Sequence, residues 1–326
     1  MYLINGTNAS KVENLTFADI KMVEDSIEEI LRQNIDMICD DEESMLLVGQ
    51  QVTNQVQARS DLIAVDQDGN LVLVELKRDK RDIEHRKEAL EFQAIRYAAS
   101  CATIQTTSEL IQNVFAPYVE KHREEFGYKE LSSNEVARRL LETFLEANHV
   151  VKFNERQRII LVASEFDAQT LSAVAWLNNN QVDISCYRLI PTKIDNHLLL
   201  DPQKLLPITD YEDFYIGLKD KSALGKTQKR DISRRSLPKI SALLEWGVVS
   251  AGDIIIAKGK TSEATLNSDG SVTTCSGAIS LQQWLKTIFG WSSVATYDIA
   301  VQKSSGKTLS ELRQAYIDKM TSEKED

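Results

Sequence analysis

Three charged residues, Asp61, Glu75 and Lys77, stand inside two runs that otherwise read as apolar β-strands. The segment is Arg59-Ser-Asp-Leu-Ile-Ala-Val-Asp-Gln-Asp-Gly-Asn-Leu-Val-Leu-Val-Glu-Leu-Lys77, with a tight turn between the runs. Burying an unpaired carboxylate is costly, so two acids and a lysine on such strands need a purpose, and a divalent cation is the simplest one. Strand alternation puts Glu75 and Lys77 on one face, with Leu76 on the other. A two-residue turn at Asp68-Gly69 would pair Asp61 with Leu76 and point it away from Glu75. A three-residue loop, Gln67-Asp68-Gly69 with Gly69 left-handed, sets Asp61 opposite Glu75 instead. The three-residue loop is the expectation. Opposed Cβ atoms are then about 5 Å apart, close enough for both carboxylates to share one hard cation.

Mg2+, or Mn2+ in its place, takes one or two carboxylates and leaves its other positions to water and phosphate oxygens. It activates water and offsets charge that builds on phosphorus. Lys77 beside it would orient that water or stabilise the transition state. An isolated Glu-Leu-Lys is common, and the alternative is an ordinary hairpin ending in solvated charges. The upstream Asp on a paired strand favours the cation.

Asp61, a 14-residue step to Glu75, then Glu75-Leu-Lys77 resembles the PD-(D/E)xK nuclease superfamily. The text SDLIAVDQDGNLVLVELKRDKR is similar to the branch of archaeal endonucleases acting on branched or mismatched DNA. The resemblance spans about residues 15 to 102, and more loosely to 205. It implies a restriction-endonuclease-like α/β fold, with a mixed sheet flanked by helices. It also implies a further acid from a first helix. Val23-Glu-Asp-Ser-Ile-Glu28-Glu-Ile-Leu-Arg-Gln-Asn34 resembles that helix, with Glu28 the best match and Glu24 the alternative; Ile35 stands where the family usually has Pro. Gln93-Ala-Ile-Arg-Tyr97 resembles the glutamine-containing helix after the strand, although the stretch from Lys77 to Gln93 is long for the family. The plainer readings stand beside these. Glu24, Asp25, Glu28 and Glu29 also fit the solvated face of an amphipathic helix with a Val23, Ile27, Ile30, Leu31 stripe. Gln93 and Tyr97, one turn apart, also fit a surface pair.

Length 326 suggests two domains, and the net charge of −11 argues against a generic nucleic-acid coat protein while leaving local binding open. Cys39, Cys101, Cys186 and Cys275 are far apart, and the histidines show no HxxxH spacing, so structural zinc is not expected. Reduced thiols, no signal segment and no membrane-length apolar run point to a cytoplasmic protein without a membrane partner. Along the chain the patterns predict a helix over 16–34 capped by Thr16, a strand over 45–57 and the hairpin. Helices follow over 83–102, 108–126 and 132–147, the last capped by Ser132 or Ser133. A strand over 157–164, a helix over 168–179 and a strand over 182–191 complete an α/β core over 1–218.

From Lys219 to Lys239 there are eight Lys or Arg and two Asp, a net of +6, in a linker-like composition. Lys226, Lys229, Arg230, Arg234 and Arg235 of this basic linker (219–236) would contact phosphates, or act only as a solubilising tether. A smaller α+β domain over 237–326 follows: a helix over 239–246 closed by Gly247, three strands over 253–257, 261–266 and 271–275, a helix over 280–289, a strand over 297–301 and a helix from Leu309. The order of GVVSAGDIIIAKGKTSEATLNSDGSV, WLKTIFGWSS and SGKTLSELR is similar to the RAMA domain, found beside restriction enzymes and adenine methyltransferases. That resemblance implies sensing of modified DNA. A modified-base reader needs an aromatic pocket and a basic rim. Trp291, Trp284 and Tyr297 are candidates for the pocket, with Trp291 expected to be accessible and Trp284 a core residue. Lys258, Lys260, Lys303 and Lys307 are candidates for the rim. Taken together, the expectation is an Mg2+-dependent DNA endonuclease of a modification-sensitive restriction or repair kind, with Glu28, Asp61 and Glu75 around the cation, and a homodimer if both strands are cut. The alternative is a non-catalytic DNA-binding protein on the same scaffold, its C-terminal module docking DNA or protein.

Overall fold

Asp66 closes the hairpin that carries the charged residues. Its Oδ1 accepts from the Asp68 and Asn70 amides at 3.0 and 2.8 Å, and its backbone N–H donates to Asn70 O at 3.0 Å. Gly69 takes φ +81, which a side chain resists, and a Cβ there would lie 2.5 Å from Val150 Cγ1. The loop is therefore Gln67-Asp68-Gly69, three residues long as expected. The computed structural model describes residues 2–12, 14–39, 42–53, 59–79, 88–128, 130–194, 197–207, 237–275 and 277–322. Two compact units emerge: Met1–Ile38 with Leu46–Asp231, and Cys39–Met45 with Ile232–Asp326.

The first unit opens with a hairpin, β1 (Tyr2–Asn5) and β2 (Asn8–Lys11), and contains a mixed sheet of six strands. These are β3 (Met45–Thr53), β4 (Arg59–Asp66), β5 (Leu71–Lys77), β6 (Gln157–Ala163), β7 (Ile184–Ile194) and β8 (His197–Leu206), adjacent in that order. β5 is antiparallel to β4 and parallel to β6; β7 is parallel to β6 and antiparallel to β8. Every residue of β5 is buried, which explains its unbroken apolar run: a central strand covered on both faces has no solvent side to alternate with. The covering helices are α1 (Glu24–Gln33), α2 (Leu90–Cys101) and α4 (Ala168–Asn179), while α3 (Ser133–Ala147) packs on the helical segments Ile111–Phe115 and Ala116–Lys121. α1 packs on β4 and β5, α2 on β5 and β6, and α4 on β7 and β8. The α/β class with a helix-flanked mixed sheet is as the sequence predicts.

Local chemistry sets the helix ends. Ser132 and Glu135 form a reciprocal capping box on α3, and Asp167 caps α4. The expected helix over 16–34 is shorter. Thr16 pairs with Asp19 to close a turn, Lys21 takes φ +55, and the Asp79 carboxylate accepts the Phe17 and Ala18 amides, so helix begins only at Glu24. The helix expected over 108–126 breaks into short pieces around a π-turn, Ile111–Phe115. β8 escapes a pattern reading because Pro202 lies inside it, a residue tolerated at a sheet edge.

The second unit holds an antiparallel sheet ordered β12-β11-β10-β9-β13-β14. Its strands are β9 (Ile254–Ala257), β10 (Glu263–Leu266), β11 (Ser271–Thr274), β12 (Gly277–Ser280), β13 (Ala300–Gln302) and β14 (Lys307–Thr308). Helices Ile240–Glu245, α5 (Leu281–Phe289) and α6 (Leu309–Ser322) accompany it, with Gly247 at φ +67 after the first. The strand expected over 297–301 is helical from Thr296 to Ile299 and extended only from Ala300. Residues Cys39–Met45 belong to this unit. Arg313 Nη1 donates to Glu42 Oε1 at 2.8 Å with both side chains buried, and Ser44 Oγ accepts from Ala295 N at 2.9 Å.

Candidate active site

β4 and β5 pair Leu62 with Val74 and Val65 with Leu71. One step further along this register Asp61 stands opposite Glu75. Both acids thus share the face that also carries Lys77, because residues two apart on a strand point the same way. Lys77 Nζ lies 4.0 Å from Asp61 Oδ2 and 3.4 Å from Glu75 Oε1. It donates to Glu24 Oε1 at 2.8 Å and also to Leu76 O. Asp61 Oδ2 is held by the Leu76 amide at 2.6 Å. Glu75 is only 1% exposed, and among the described residues neither of its carboxylate oxygens receives a hydrogen bond; the Lys77 approach is close but not aligned.

α1 brings two acids to the same place, one helical turn apart. Glu24 engages Lys77 and, through Oε2, the Arg78 amide at 3.3 Å. Glu28 is buried, with Oε2 accepting from Gln51 Nε2 at 3.3 Å and Oε1 lacking a partner among the described residues. Glu24 thus holds the lysine, while Glu28 Oε1 has no hydrogen-bond partner among the described residues.

The electrostatics follow from burial. Desolvation, with the like charge of Asp61 next, pushes the Glu75 carboxyl up to about 8. Desolvation also raises Asp61 to about 6, against the pull of Lys77 and the Leu76 amide. Glu28 is raised by desolvation and by Asp61. Burial works to lower the Lys77 proton affinity, but Asp61, Glu75 and Glu24 together outweigh it and hold the ammonium charged. The donor set is carboxylate oxygen, the ligand type that hard divalent cations take. Among the described residues Glu28 Oε1 and Glu75 Oε2 have no partner and Glu75 Oε1 has only the Lys77 ammonium at 3.4 Å, and hard carboxylates are the ligands Mg2+ and Mn2+ prefer. Among the described residues no group of three or more His, Cys, Asp or Glu side chains is placed to hold a metal ion. One Asp61 oxygen is occupied by Leu76, and the lysine sits within the acid group.

Gln93 lies on α2, where its Nε2 donates to Tyr97 Oη at 3.1 Å, the turn-spaced pairing that the plainer reading predicts. Lys226, Lys229, Arg230, Arg234 and Arg235 lie outside the described residues. In the second unit Lys258 and Lys260 are exposed, with Lys260 Nζ 5.4 Å from the Phe289 ring centroid, while Lys303 pairs with Glu263. Trp291 corrects the expectation of an accessible aromatic: it is 4% exposed and packs on Phe289 at 4.8 Å. Trp284 and Tyr297 are buried as well, so these three form core and not a base pocket; the small domain needs them to exclude water. Trp246 and Tyr316 are half-buried and stacked at 4.6 Å.

Sequence reasoning missed Gln50, Gln51 and Asp79. Only the Gly-Gln-Gln text at the end of a strand run marks the first two, and nothing local marks Asp79 as the acceptor of the Phe17 and Ala18 amides, 62 and 61 residues away. No described helix is long and apolar enough to cross a membrane. Comparison with protein-family models and with curated proteins finds no match to this chain.

Proposed function

We propose that the first unit is a metal-dependent nuclease that hydrolyses phosphodiester bonds in DNA. The observation that carries the reading is the pair of buried, opposed carboxylates, Asp61 and Glu75, beside a buried lysine on the same face, with no hydrogen bond to the Glu75 oxygens among the described residues. A purely structural hairpin has no use for such a cluster, since apolar residues of similar size would be more stable there. Glu75, Asp61 and Glu28 would hold Mg2+ or Mn2+. When bound, the cation supplies charge neutralisation at the phosphate and a lowered pKa for attacking water.

The chain's own residues do the rest. The Leu76 amide fixes the Asp61 carboxylate, so one oxygen stays aimed while the other is left for binding. Lys77 stays protonated, and its ammonium would donate to a phosphate oxygen or to water as charge builds in the transition state. Glu24 holds that ammonium in place from α1. Lys258 and Lys260, with the basic linker, would contact the DNA backbone.

Incubation of the full-length protein with supercoiled plasmid in Mg2+ or Mn2+ tests the reading. Nicking or linearisation is expected, and it should be lost in EDTA and in Asp61→Asn, Glu75→Gln and Lys77→Ala. Cleavage by Glu75→Gln at the parental rate would refute it. DNA binding without cleavage by the parent would favour the non-catalytic scaffold.

A further inference from the structure

Gln51 lies in β3 with φ +54, a left-handed conformation that side-chain-bearing residues avoid in strands. Regular strand geometry sends consecutive side chains to opposite faces. Here two consecutive glutamines reach the same helix. Gln50 Nε2 donates to Glu29 Oε2 at 3.4 Å, and Gln51 Nε2 donates to Glu28 Oε2 at 3.3 Å. The left-handed step breaks the alternation and turns Gln51 toward α1.

The amide is also oriented from behind. Arg59 Nη1 donates to Gln51 Oε1 at 3.4 Å, which leaves the amino group facing the Glu28 carboxylate. Gln50 has separate anchors: its Oε1 accepts from Lys121 Nζ at 2.9 Å and lies 2.9 Å from His122 Nε2. Gln51 therefore occupies Oε2 of Glu28, with the Gln50 amide a lesser influence on the same carboxyl, and Oε1 is buried and without a hydrogen bond among the described residues. A glycine would hold the same backbone without strain, so the side chain is what the strain preserves.

We propose that Gln51 is a positioning residue, whose amide holds the Glu28 carboxylate so that Oε1 is presented to a divalent cation shared with Asp61 and Glu75. The inference rests on the acidic cluster being a cation site.

The test compares full-length parent, Gln51→Gly, Gln51→Asn and Glu75→Gln by calorimetric titration with Mn2+ and by thermal unfolding in EDTA. Gln51→Gly should unfold at or above the parental temperature, because the strain is relieved, while its Mn2+ Kd weakens roughly 10–100-fold, as loss of outer-shell partners usually does. Asn tolerates the left-handed region better than most residues but is one methylene too short, so it should retain stability and lose affinity in the same way. A folded variant with the parental Kd would overturn the proposal. So would lowered unfolding temperatures in both variants, which would mark Gln51 as a structural residue. If the parent shows no Mn2+ binding that Glu75→Gln removes, the cation site itself fails. That result differs from parental binding that is indifferent to position 51.

Discussion

Replacing Glu75 by glutamine should flatten the dependence of stability on pH. Folding buries this carboxyl beside Asp61 and moves its proton affinity from 4.5 to about 8. The folded protein then keeps a proton that the unfolded chain releases above pH 4.5. The resulting stabilisation is fully present below pH 4.5 and is lost as pH climbs through about 8. Each pH unit in that window is worth at most about 1.4 kcal/mol, giving an upper bound of roughly 5 kcal/mol. Asp61 shares the same proton economy, so the observed loss should be a few kcal/mol, still a large part of a domain's ~5–15 kcal/mol. Urea unfolding in EDTA from pH 5 to 8.5 measures it: the parental midpoint should fall with pH, and that of Glu75→Gln should fall less. At pH 8, Mn2+ at a hundredfold over its Kd should return about 2.7 kcal/mol to the parent and little to the variant. Parallel pH curves for the two proteins would refute the argument, because they would mean Glu75 is neither desolvated nor crowded by charge.

The other expectations concern single contacts. Gly69→Ala must hold φ +81 with a methyl 2.5 Å from Val150 Cγ1. It should therefore lose roughly 2–4 kcal/mol from strain and overpacking in urea unfolding; no loss would contradict the three-residue loop. Glu42→Ala strands the buried Arg313 guanidinium and should cost roughly 3–5 kcal/mol, with Glu42→Leu/Arg313→Leu closer to the parent, as read by denaturation; a loss under about 1 kcal/mol would refute the pair's importance. Ser132→Ala removes the α3 capping box and should cost about 1 kcal/mol by the same measurement. Lys77→Ala should bind Mn2+ at least as well as the parent, because the competing ammonium is gone, while plasmid cleavage slows ~10²–10³-fold.

Where a feature depends on neighbours in sequence, the sequence is enough. Asp66 and Gly69 close their own loop, and its three-residue length decides that Asp61 faces Glu75 and not Leu76. Ser132 with Glu135, and Gly247 after its helix, are legible for the same reason: donor and acceptor are a few residues apart. The helix over 168–179 needs only its periodicity and cap.

Other features are decided by distant partners, and there the pattern misleads. Thr16 looks like a helix cap, but Asp79 takes the Phe17 and Ala18 amides from across the chain, so the turn ends before a helix can start. Trp291, between a glycine and serines, looks accessible; its burial comes from the elements that fold over it. The acids of α1 illustrate the division best. Their presence on one helix face is written in a four-residue spacing. That Glu24 clasps Lys77 while Glu28 keeps an oxygen without a partner among the described residues depends on where α1 lies against β5 and on a strained glutamine in β3. Side-chain alternation and turn length are properties of a short chain segment, so they can be read locally. Which carboxylates meet in a desolvated space is set by packing between elements dozens of residues apart, and only the folded chain supplies it.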